Sequence, residues 1–137
     1  MHWKLIFGLS LFGLAMAFAT VFVIPSSIEP FCWLAIFLIC AYLIAKMAPE
    51  KYFLHGLLVS IVNSIWITAA HVLLFDQYVA THAKEAAMMQ SLPIAPRVMM
   101  LCTGPIVGVI SGLILGLFAW IASKMVSKNA VQKPGTA

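Results

Sequence analysis

The sequence predicts an all-α integral membrane protein, with four transmembrane helices in an up-down antiparallel bundle and both termini in the cytoplasm. Three observations carry that expectation. Of the 137 residues, 64% are hydrophobic and 9% charged, a balance that leaves a water-soluble fold too little polar surface to cover itself. Apolar runs free of charge recur at the length that a hydrocarbon layer of about 30 Å requires. The basic residues gather on alternate connections, as the positive-inside rule demands.

The first span runs from Leu5 to Ile24, bounded by Lys4 and Pro25. Lys4, the apolar stretch and Ala17-Phe18-Ala19 also fit a signal peptide with a small-residue cleavage site. The apolar run continues past that site to Ile24, which favours an uncleaved span. The second covers residues 30–47, with Ser26 and Glu29 placed as a capping box. The third runs from Phe53 to Phe75 and the fourth from Val98 to Ser123. Residues 1–128 form one membrane domain, and the tail from Asn129 to Ala137 is expected to fray.

Lys4, Lys46, Lys51, Lys124, Lys128 and Lys133 all fall on one side of an alternating four-span chain, leaving Lys84 and Arg97 on the other. That bias places the N-terminus, the turn from Met47 to Tyr52 and the C-terminus inside a plasma membrane, with 25–30 and 76–97 outside. Trp3, Tyr52 and Trp120 mark the inner interface and Trp33 the outer one. Short connections after the first two spans favour sequential antiparallel neighbours.

Two spans carry unusual patterns. In the fourth, Gly104, Gly108, Gly112 and Gly116 recur every fourth residue, a glycine zipper that leaves a smooth groove for close helix packing. The groove's occupant is either internal, for instance the Gly13 and Ala17 face of the first span, or the same helix of a second copy. Pro105 removes one hydrogen bond from this helix. In the third span, Ser60, Asn63, Ser64, Thr68 and His71 fall within an arc of about 140°, a polar stripe facing the bundle interior. Polar groups at that depth are either interhelical hydrogen-bonding glue or part of a site.

No helix breaker lies between Gly56 and Pro93, so the third helix is able to continue to Gln90, with Tyr78, His82 and Glu85 on one face. His82 and Glu85 are a candidate metal pair, although an H-x-x-E pair arises by chance in many helices. In the competing arrangement Asp76 caps a separate surface helix. Met88, Met89, Met99 and Met100 cluster around the outer loop, with Cys102 just inside. Such ligands suit Cu(I), whereas methionines in helices commonly fill packing gaps. Cys32 and Cys102 both fall toward the outer face, where a bond between them is open.

The four acids, Glu29, Glu50, Asp76 and Glu85, lie at span ends or in connections. The mid-membrane carboxylate of the small multidrug transporters is therefore missing. No phosphate-binding loop, nucleophile elbow, zinc-protease or dinucleotide motif is present, so no catalytic set and no cofactor is implied. The scattered lysines exclude a nucleic-acid surface. Three functions remain: a non-enzymatic accessory or scaffold subunit that meets a membrane-protein partner or a second copy through the glycine face; a small carrier or channel for protons or a soft metal ion that uses Asn63 and His71 at depth and His82 with Glu85 at the outer mouth; or, least favoured, a membrane-embedded metalloenzyme on the outer half.

Overall fold

The computed structural model describes residues 1–25 and 27–126, so Ser26 of the expected capping box, Lys128, Lys133 and the tail lie outside it. Among the described residues the chain forms six helices and no strand: α1 (Trp3–Phe22), α2 (Glu29–Met47), α3 (Tyr52–Leu73), α4 (Phe75–Thr81), α5 (Ala83–Gln90) and α6 (Pro96–Met125). Four of them, α1, α2, α3 and α6, are long and apolar enough to cross a membrane. Their bounds follow the apolar runs. Pro30 and Pro96 open α2 and α6 in the first turn, where the missing N–H has no helical acceptor to lose. Lys51, at φ 55°, takes the left-handed conformation that turns the chain from α2 into α3.

α3 is the central element, packing most extensively on α6 and next on α1, while α2 lies mainly against α6. Sequence neighbours α1 and α2 meet only slightly, so the chain's short turn does not dictate the main interface. The α3–α6 contact is a meeting of two small-residue rows. A methyl group at Gly104 would strike Thr68, at Gly108 Ser64, at Gly112 Leu57 and at Gly116 Phe53. Those partners run in the opposite order to the glycines. A methyl at Gly56 would lie 2.7 Å from the Cα and N of Gly116, so the two backbones nearly touch there. The glycine groove is thus filled by α3 of the same chain, rather than by the Gly13 and Ala17 face of α1.

Between α1 and α3 the contacts are polar and in parallel order. The His2 N–H donates to His55 Nε2 at 3.1 Å, the Trp66 indole to Ser10 Oγ at 3.3 Å, and His71 Nε2 lies 3.1 Å from Thr20 Oγ1. Because His55 Nε2 accepts from His2, its Nδ1 carries the hydrogen and donates to the Lys51 carbonyl at 2.9 Å. Both ring nitrogens are satisfied, so this buried histidine is a structural tie.

The apolar core sits at one end, where Leu5, Ile6, Leu9, Cys40, Ile44, Leu115 and Ala119 close together. At the other end the chain leaves α3 by a bend at Leu74 (φ −106°, ψ 36°), enters α4, and bends again at His82 (φ −128°, ψ 60°) into α5. Helical bonds meet at both bends, Leu74 N–H on the Ala70 carbonyl and Tyr78 N–H on that of Leu74, then His82 N–H on Tyr78 and Ala86 N–H on His82, at 2.8–3.0 Å. The helical path to Gln90 therefore exists, but in three pieces. α4 leans onto α1, where the Thr81 hydroxyl donates to the Val21 carbonyl at 3.0 Å. No side-chain cap starts α4, and Asp76 stands in its first turn.

Candidate functional site

Where the helices part from the apolar core, α2, α3 and α6 enclose an open-sided cavity of about 800 Å³. All five residues of the α3 stripe, Ser60, Asn63, Ser64, Thr68 and His71, line it, facing Trp33, Leu34 and Phe37 of α2 and Thr103, Val107 and Ser111 of α6. Tyr78 of α4, Glu85 of α5 and the four methionines 88, 89, 99 and 100 close its rim, and Glu29 and Pro30 complete it from α2. Cys102 is exposed and stands outside the lining.

The stripe divides its work. Ser64 and Thr68 bear on the glycines of α6, and Ser64 Oγ satisfies itself on the Ile61 carbonyl at 2.7 Å. These two are packing groups as much as wall. Asn63 is different: it is 2% exposed, pressed against Gly13 of α1, and neither its amide oxygen nor its amide nitrogen has a hydrogen-bond partner among the described residues. An amide left so costs about 1–3 kcal/mol, a cost that packing alone gives no reason to retain.

At the rim three rings stack. The His71 and Tyr78 centroids are 4.4 Å apart, and those of Tyr78 and His82 are 4.3 Å apart at an interplanar angle of 12°. The bends at Leu74 and His82 bring residues spaced at seven and four into this column. His82 is buried, with Nδ1 2.9 Å from Thr81 Oγ1 and Nε2 3.8 Å from Glu29 Oε2. The other Glu29 oxygen accepts from the Trp33 indole at 3.3 Å. Burial and then the negative fields of Glu29 and Glu85 push the Tyr78 phenol up to about 12, so the ring stays neutral at physiological pH.

The carboxylate that His82 meets is therefore Glu29, from a helix distant in sequence. No group of three or more His, Cys, Asp or Glu side chains converges to hold a metal ion among the described residues. Cys32, Cys40 and Cys102 are all free thiols. Sequence reasoning did not single out Glu29, Trp33 or Gly56 as site or packing residues. For Gly56 a signal existed: Gly56, Ser60, Ser64 and Thr68 repeat every fourth residue and mirror the glycines of α6. Glu29 gave none, because its role depends on where α5 comes to rest.

Comparison with protein-family models, curated proteins and solved structures finds no match. The functional reading rests on the geometry.

Proposed function

We propose that this chain is a four-span membrane protein that holds one small amphiphilic molecule in the cavity between α2, α3 and α6, as a binding or carrier protein. The observation that carries this reading is the cavity itself. At about 800 Å³ it lies within the roughly 300–1,000 Å³ of small-molecule sites. The α3 wall is a polar stripe and the α2 and α6 walls are mainly apolar and aromatic, the division an amphiphile presents. The volume suits an organic cargo, in place of the proton or soft metal ion that the carrier hypothesis began from.

The helix pairings support an up-down antiparallel bundle: α1 and α3 pair in parallel order and α3 and α6 in opposite order. With the positive-inside bias, this reading puts the packed core end, near Lys4, Lys46 and Lys124, in the cytoplasmic half of a plasma membrane and the cavity in the outer half. Tyr42 and Trp120 under the Lys46 and Lys124 ammonium groups, each 5.6 Å from its ring centroid, accord with an interfacial belt. A scaffold role through the glycine face is less well supported, because α3 occupies that groove. A partner helix would have to use the outer apolar faces, such as Ile106, Ile110 and Leu113 of α6, which lipid also covers.

The test is saturable binding. Purified protein in lipid nanodiscs is photolabelled with a long-chain alcohol that carries a diazirine. The reading expects labelling that saturates near one probe per chain and maps to residues 60–71 and 103–111. Labelling that rises linearly with probe and spreads over α1 and the outer face of α6 would show ordinary lipid contact and overturn it.

A further inference from the structure

The charge around the cavity is opposite to that of the chain. The sequence holds eight Lys and Arg residues against four Asp and Glu, for a net charge of +4. Yet the cavity lining includes two of the four acids, Glu29 and Glu85, and no lysine or arginine. The outer basic residues do not offset them: Lys84 is exposed, and Arg97 places its guanidinium 5.0 Å over the Phe75 ring. The acids reach the cavity from two elements. Glu29 begins α2, and Glu85 stands in the first turn of α5.

Both carboxylates line the same cavity as Tyr78, and after burial, the larger cause, each opposes ionisation of its phenol. Trp33, whose indole donates to Glu29, and Phe37 present aromatic surface to the same cavity, and the negative face of an aromatic ring attracts cations. Four methionines around the rim add polarizable, conformationally adaptable surface, which suits bulky apolar groups of varied shape. Asn63 of the same wall is buried against Gly13 of α1, with no hydrogen-bond partner for its amide among the described residues. The other titratable wall group is His71, already engaged with Thr20.

We infer that the cavity's ligand is a lipophilic cation, an organic molecule with a single delocalised or shielded positive charge on an apolar body, seated with its charge between Glu29 and Glu85 against the aromatic wall. This inference rests on the reading of the cavity as a small-molecule site and specifies its occupant. A strongly hydrated ion would gain little from apolar walls, whereas an anion would meet two carboxylates and no lysine or arginine, with His82, 3.8 Å from Glu29, buried outside the lining. A cation of this kind loses little hydration on entry and meets both kinds of attraction.

Three probes of similar size and different charge separate the possibilities: tetraphenylphosphonium, triphenylphosphine oxide and tetraphenylborate. Each is measured by equilibrium dialysis against the protein in nanodiscs, with empty nanodiscs of the same lipid subtracted. The expected order is cation above neutral above anion. Glu85→Gln, which breaks no hydrogen bond or ion pair described above, should weaken the cation about tenfold, the scale of one carboxylate acting over several ångströms at partial burial, and leave the neutral probe unchanged. Glu29→Gln should act in the same direction. Circular dichroism confirms that each variant is folded. Saturable binding of the neutral or anionic probe at least as tight as that of the cation, or a cation affinity untouched by both substitutions, overturns the inference and leaves the cavity reading standing. If none of the three binds above empty nanodiscs, the cavity reading itself fails.

Discussion

Replacing Gly56 with alanine tests the contact on which the whole arrangement turns. An ideal Cβ at Gly56 lies 2.7 Å from the Cα and N of Gly116 and 2.8 Å from the Leu115 carbonyl carbon. Comfortable separations between such atoms are about 3.5–4.0 Å. All three atoms are backbone, so no side chain is able to swing aside, and α3 and α6 must part by roughly 1 Å. A gap of that size forfeits a quarter to a half of each dispersion contact across the interface. Overpacking costs about 1–3 kcal/mol, here near the upper end, and the better helix propensity of alanine returns about 1 kcal/mol. The net loss is about 2 kcal/mol, roughly a thirtyfold fall in the folding equilibrium. Gly8 supplies the control: nothing stands within 4 Å of a Cβ there, so Gly8→Ala should leave stability unchanged or raise it by up to about 1 kcal/mol. Unfolding by SDS in mixed micelles, followed by circular dichroism, reads both. Equal stability of the two alanine variants would refute the claim that α3 and α6 meet backbone to backbone at this point.

Three further expectations are open to measurement. Ultraviolet titration should show one tyrosine ionising near pH 12 that Tyr78→Phe removes. Its midpoint should fall toward the ordinary value near ten when Glu29 and Glu85 are both changed to glutamine. Because the folded state raises this pKa, Tyr78's contribution to stability is complete below about pH 10 and is lost as pH climbs to about 12. Alkylation of the denatured protein without reductant should modify three cysteines by mass, and modification of only one would indicate a disulfide. Before denaturation Cys40, which is fully buried, should resist the reagent. Alkaline phosphatase fused after Met125 in a bacterial host should be inactive, and fused between α5 and α6 it should be active. The reverse pattern would invert the proposed orientation.

Much of the fold was legible because span length is a local property. The apolar runs placed α1, α2, α3 and α6 within two residues of their observed ends, and the glycine register of α6 was visible as a packing face. Its partner was not, since one face of one helix says nothing about which helix fills it. The polar stripe of α3 was identified as interior. Its overlap with a four-residue row of small side chains, Gly56 to Thr68, went unread because serine and threonine qualify equally as polar and as small. The bends at Leu74 and His82 carry neither glycine nor proline. They are associated with tertiary contacts of Thr81 with Val21 and of His82 with Glu29, which no local signal announces. For the same reason His82 was paired with Glu85, three residues on, and Glu29 was left out of the site.

The central claim, a ligand chamber between α2, α3 and α6, is tested most directly by two neighbouring residues on one helix. Ser111 lines the cavity, whereas Ile110 is 55% exposed on the outer face of α6. Tryptophan at either position places the same indole side chain on the same turn. With the diazirine-bearing alcohol in nanodiscs, Ser111→Trp should abolish saturable labelling and Ile110→Trp should leave it at the unsubstituted level. Equal labelling of both variants would contradict the account.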